Sequence, residues 1–227
     1  MARYKKLHYK KSSKKSFSAN LNFYKIFWVF FLGSFFGVVW ETLYCLVTAG
    51  HMECRWGLIH GPFNPVYGFG AVLFTIILNK ISHYRDLWIF LICTVCGGAF
   101  EYLCSFTQEK IFGTISWNYT DMKFNFAGRT NLLYSFFWGI LGLLWVKEFY
   151  PRLSTLIEKF PSRFGKVLTY VALIYMILNI VLSSLAVERQ TQRLHGKPAN
   201  TTLAKVLDDL YPDEFLKKIY PNMKTIK

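Results

Sequence analysis

The chain has 227 residues, of which 53% are hydrophobic and 19% aromatic, and its net charge is +14. Its mean hydropathy of +0.24 is high for a soluble protein. The charge lies outside long apolar runs, which argues for membrane topology and against a nucleic-acid partner.

The first twenty residues hold Arg3, Lys5, Lys6, Lys10, Lys11, Lys14 and Lys15 and no acid. Residues 1–21 are therefore expected to form a basic cytoplasmic tail, able to touch anionic lipid. "FYKIFWVFFLGSFFGVVWETLYCLVTA" (23–49) follows, with "VTA" resembling a signal-peptide cleavage site. The run is too long for a signal peptide and contains Glu41. Further apolar runs cover residues 64–78, 87–106, 132–146 and 167–187. About 20 helical residues cross a hydrocarbon core of ~30 Å. The runs are apolar nearly all round, unlike the amphipathic helices of a soluble protein. The expected fold is an all-α, polytopic transmembrane helix bundle with about five spanning helices. The transmembrane domain is placed at 22–187 and a polar C-terminal tail at 188–227.

With the amino terminus inside, most links obey the positive-inside rule. The tail does not, because five crossings put it outside with eight Lys or Arg residues. The sequence leaves its side open.

The chain repeats itself. Gly33, Gly37, Glu41 and Cys45 align with Cys93, Gly97, Glu101 and Ser105. "NPVYGF" from Asn64 aligns with "NLLYSF" from Asn131. The first four helices are thus expected to form two parallel-repeat hairpins, at about 22–80 and 86–149, with a fifth helix at 166–187. Residues spaced by four share a helix face, so each glutamate lies on a stripe of small residues that faces protein. A charge at mid-helix costs around 3 kcal/mol on insertion scales. Protonation, pairing with Arg55 or Arg129, or a wet cavity would each relieve that cost, and two acids at one depth could share a proton or bind a cation. Anchoring of the loops through arginine or backbone contacts is the structural alternative. Tyr67 lies in the first external segment and its helix start. Trp117, Asp121 and Asn125 in the second complete the candidate substrate- or ion-binding set.

His51, Glu53, Cys54 and His60 match no zinc spacing, so no metal is expected. Cys93 and Cys96 stand in an apolar run and read as packing residues. There is no G-x-S-x-G and no G-x-x-x-x-G-K-[ST], so the chain carries no known catalytic elbow or ATP site. No cofactor is called for.

"GVVWET", "RWGLIHGPFNPVYGFGAVL" and "FEYLCSFTQEKIFGTISWNYTDMKFNFAGRTNLLYSFFWGILG" resemble the bacterial ABC-transporter type IV membrane family, also called CmpB-like. The tail "YPDEFLKKIYPNMK" is similar as well, and GP-x-x-P-x-YG-x-G is the most specific part. The family pattern carries over to Glu41, Arg55, Gly61, Pro62, Pro65, Tyr67, Gly68 and Gly70. It continues through Glu101, Glu109, Phe112, Trp117, Tyr119, Asp121, Asn125, Gly128, Arg129, Trp138 and Gly139. Cys54 and Trp40 depart from it, standing where family members often have Asn and Tyr. The resemblance implies a multi-pass permease-type protein of the bacterial plasma membrane. Such a protein needs a separate ATPase subunit and, with about five helices, a homodimer. The alternative is a membrane-embedded enzyme or accessory protein acting on envelope lipid or glycan at the outer leaflet. There, Glu41 or Glu101 would be general acid or base.

Overall fold

The computed structural model describes residues 16–226, so the basic run from Arg3 to Lys15 lies outside the described residues. These form helices α1 (Phe23–Ala49), α2 (Pro65–Ile81), α3 (Asp86–Phe112), α4 (Leu132–Glu158), α5 (Ser162–Leu194), α6 (Thr202–Leu210) and α7 (Asp213–Ile219). By length and composition α1, α3, α4 and α5 can each cross a membrane, while α2, at 17 residues, is shorter. The fold is an all-α bundle.

The helix ends follow local chemistry. Asn22 caps α1 by accepting from the Lys25 N–H, and Asn131 caps α4 by accepting from the Leu133 N–H. Gly50 and Gly113 end α1 and α3 in the left-handed conformation, at φ 73° and 62°. Pro151 does not break α4, which runs past the approximate end of the second repeat unit at 149. A π turn at Trp145–Phe149 absorbs the proline's missing N–H, and the helix runs on to Glu158. Likewise α5 continues beyond the apolar run ending at Val187, to Leu194.

The helices pack as two hairpins, α1 with α2 and α3 with α4. Glycines set the approach. A Cβ on Gly37 would stand 2.3 Å from Tyr67 Cβ, and one on Gly97 would stand 2.3 Å from Trp138 Cβ. Gly33 meets Ala71, and Cys93 meets Gly142, in the same pattern. Gly68 sits against Phe30 and Ser34, and Gly139 against Phe90 and Thr94. The two hairpins therefore use one packing register. Asn64 and Asn131 match as residues flanking the helix starts, but the packed positions on α4 lie one helical turn further along than that alignment implies. A shift of four residues keeps the same face.

This register fixes a second feature. Antiparallel pairing places the start of α2 beside Val39, roughly ten residues or about 15 Å below the tip of α1. It places the start of α4 beside Leu103, a similar distance below the tip of α3. The Asn64 N–H donates to the Ser34 carbonyl, 3.1 Å away and midway along α1. Both connecting loops thus descend into the bundle before the next helix begins. Non-helical backbone at such depth is tolerated only where protein or water satisfies it. In the first loop Leu58, Ile59 and Phe63 are buried. Asn179 on α5 holds its backbone at both ends of one residue: Oδ1 accepts from the His60 N–H (3.2 Å), and Nδ2 donates to the His60 carbonyl (2.6 Å). Tyr175 Oη also donates to that carbonyl, and Ser183 Oγ accepts from the Ile59 N–H.

The residues after α5 fold back over the same end of the bundle. Arg189 grips Asp208 with two 2.9 Å bonds, and Arg193 bridges Asp208 and Asp213 at 2.5 Å. Strand β4 (Lys224–Thr225) then pairs antiparallel with β1 (Thr114–Ile115) of the second loop. At the opposite end Lys25, fully buried, donates to Ser154 Oγ and Glu158 Oε1, both at 2.5 Å, tying α1 to α4.

Two outcomes follow from this packing. Gly37→Ala and Gly97→Ala are each expected to destabilise the protein by about 1–3 kcal/mol through overpacking, read as a lowered thermal midpoint in detergent. Hydrogen bonds from Arg189 and then Arg193 hold the Asp208 carboxyl at about 2, below its ordinary 3.8. A depressed acid stabilises the fold above its unfolded pKa and loses that contribution as pH falls through the folded value. Protease resistance of α6 and α7 is therefore expected to persist at pH 5 and to decline only as pH falls from about 4 towards 2.

Candidate functional site

The stripe spacing brings Glu41 and Glu101 to the protein-facing side of their helices, where each meets its own descending loop. Their partners differ. Arg55 Nη1 approaches Glu41 Oε1 at 3.5 Å, while Arg55 Nη2 pairs with Glu53 Oε2 at 2.7 Å. The same nitrogen lies 2.9 Å from Cys45 Sγ, one turn along α1 from Glu41. Glu41 is thus held in an ion-paired cluster that remains partly exposed.

Glu101 is buried at 8% exposure and takes two hydroxyl donors instead. Tyr119 Oη donates to Oε1 at 2.9 Å, and Thr130 Oγ1 donates to Oε2 at 2.8 Å. Arg129, the expected partner by analogy with Arg55, pairs with Glu109. The cause is the longer second loop, which delivers Arg129 two turns higher on α3. There its guanidinium also touches Ser105 Oγ at 3.4 Å and lies over the Tyr102 and Phe106 rings at 5.8 and 5.5 Å. The parallel with the first hairpin survives in part. In each, the loop arginine reaches the small polar residue four places after the glutamate, Cys45 or Ser105.

Tyr119 ties the second loop to Glu101. Burial first, then the charge of Glu101 and its hydrogen bond, then Tyr134 and Glu41, push its hydroxyl above the ordinary phenol range. It therefore stays protonated and acts as a donor. Its ring stacks on Tyr134 at 4.7 Å. A phenol bonded to a buried carboxylate can hold a proton there, or yield its place to a cation.

The other candidates fall into supporting places. Tyr67 packs against Gly37. Trp117 Nε1 donates to the Arg129 carbonyl at 2.9 Å and fixes the loop that presents Arg129. Asn125 binds the Thr120 and Met122 carbonyls and the Gly128 N–H, so it shapes the loop from inside. Asp121 is exposed on the loop surface. Among the described residues no group of three His, Cys, Asp or Glu side chains is placed to hold a metal.

Residue-by-residue reading missed Thr130 entirely, took Tyr119 only as one of the aromatic and polar residues of the second external segment, and reached Glu109 only through the family pattern. Thr130 directly follows Arg129, and nothing in its local sequence marks a carboxylate partner. It also lines a groove of about 550 Å³ between α3 and α4, with Val95, Gly98, Ala99, Leu103 and Leu132. That groove opens sideways and is almost wholly apolar.

Thr130→Val and Tyr119→Phe each remove one donor from buried Glu101. Each is expected to cost about 1–3 kcal/mol, read as a lower thermal midpoint. Asp121→Ala, on the surface, is expected to stay within about 0.5 kcal/mol of the parent in the same assay.

Among known proteins, a family model described as "Putative ABC-transporter type IV" matches residues 28–184. No curated protein and no solved structure matches the chain.

Proposed function

The chain belongs to that family, and on this premise we propose that it acts as a permease-type membrane subunit with Glu41, Tyr119 and Glu101 as its ion- or proton-binding site. The observation that carries the reading is Tyr119. It donates to buried Glu101, whose matched position in the first hairpin is Glu41, so the loop of one hairpin holds one of two acids that share a packing stripe. The hairpins are read as a parallel internal repeat on their shared packing register. Repeat interfaces built from shortened helices are where transporters place substrate and coupling-ion sites.

In this reading the loop end of the bundle faces outside the bacterial plasma membrane. The opposite end carries the start of α1 and the short links between α2 and α3 and between α4 and α5, and Lys80, Arg85, Lys159 and Arg163 in and beside those links fit the positive-inside rule. The tail then lies outside with the loops. Because the chain has no ATP-binding motif, energy comes from a separate ATPase subunit at the inner end. The alternative, an enzyme acting on envelope lipid or glycan, has one observation in its favour. The sideways groove reaches Thr130, one hydroxyl from Glu101.

The test is to express Glu41→Gln and Glu101→Gln, singly and together, in cells lacking the parent protein. Folding in detergent is scored beside rescue of the cellular phenotype. Intact folding with activity reduced ~100-fold is expected if the acids handle a proton. Full activity in the double variant would sink the site, and equal collapse of folding would make both acids anchors. Pull-down of the parent chain is expected to bring an ATPase subunit with it.

A further inference from the structure

The shared register makes the two hairpins comparable position by position, and one face differs. On α1, Trp28 is buried and Tyr24, Phe31 and Phe35 are half-buried on the face that meets α5. Trp28 Nε1 donates to Thr169 Oγ1 of α5 at 2.9 Å, and Tyr24 meets Tyr170. Phe31 and Phe35 pack in a cluster with Met176 and Ile180 of α5. The repeat offset carries these four positions to Tyr84, Trp88, Leu91 and Val95, at the start of and along α3. Those four are 44%, 55%, 40% and 71% exposed. The apolar groove beside Val95 continues the same uncovered face. What α5 does for the first hairpin, no described residue does for the second.

We infer that this face of α3 is the docking site for α5 of a second copy of the chain. Three observations select that occupant. First, the equivalent face on α1 is filled by this very helix, so the shape is one that α5 fits. Second, α5 has a free side. Val167, Val171, Ile174 and Leu178 form a stripe at helical spacing and are 59–64% exposed. Third, α5 runs parallel to α1 and α3, so a second copy inserted in the same orientation presents α5 in the direction the site requires. Residues 1–15 are an unsuitable occupant, since seven of them are Lys or Arg. Exchange of α5 stripes across a two-fold axis along the membrane normal covers both α3 faces and closes the assembly. In membranes such contacts draw on close packing, and the small, exposed Ala99 in the groove beside Val95 lets a helix approach. This inference rests on the packing register and not on the glutamate site.

The experiment uses the full chain in its native membrane. A photoreactive p-benzoylphenylalanine replaces Leu91 in one variant and Phe31 in another. The Leu91 variant is expected to yield a product of two 26.6 kDa chains, mapping to residues 167–178 of the second copy. The Phe31 variant is expected to crosslink within its own chain, to the Met176 region, which checks that α5 is in place. Val95→Trp is expected to cut the intermolecular product about tenfold while leaving the Phe31 crosslink unchanged. Crosslinking of position 91 to lipid alone, to a different protein, or to the second copy at some segment other than α5 would overturn the inference. None of these readouts depends on activity, so failure here is distinct from failure of the glutamate variants.

Discussion

The structure depends on a shortfall: α2 and α4 begin well below the tips of the helices they pack against. The glycine contacts that set each hairpin's register also set this depth. Two loops must then enter the bundle, and their backbone groups must find partners where lipid offers none. The first loop is met by Asn179, Ser183 and Tyr175 of α5. The second supplies more of its own bonds, through Asn125, Trp117 and the short β2 (Asn125–Phe126) to β3 (Thr130–Asn131) pairing. The acids belong to the same solution. Glu41 and Glu101 face loops rather than hydrocarbon, so their polarity is used at the level where helix has given way to coil.

Much of this was legible in the residues. The apolar runs mark the long helices, the paired Gly-x-x-x-Glu spacing of Gly37–Glu41 and Gly97–Glu101 marks the hairpins, and Asn64 and Asn131 mark their turning points. The two glutamates stood out because acids in apolar runs are rare. Their partners were less visible. Arg55 reaches its glutamate and Arg129 does not, because pairing depends on loop length and path, not on residue order. Thr130 and the Asn179 clamp act over separations of 29 and 119 residues, beyond any local pattern. The continuation of α4 past Pro151 was hidden for another reason. A π turn leaves no composition signal, only a changed hydrogen-bond ladder.

The two hairpins share a packing register and differ in their loops. Packing glycines stay in register, because a Cβ at Gly37 or Gly97 has nowhere to go. The loops are freer, so one glutamate carries a guanidinium and the other carries two hydroxyls. Similar frames thereby hold acids in unlike surroundings, one ionic and partly open, the other neutral and closed. Such a difference is what separates the tasks of two chemically identical groups.

The Asn179 clamp has a consequence for biosynthesis. The backbone of His60 waits for a side chain 119 residues further along. At roughly 5–20 residues per second, about ten seconds pass between synthesis of the loop and of its partner. During that interval the first hairpin has been threaded into the membrane with its descending segment unmet. The loop must stay hydrated or be shielded by the insertion machinery until α5 arrives. A truncated chain ending before α5 would be left permanently in that state, a ready target for quality-control proteolysis.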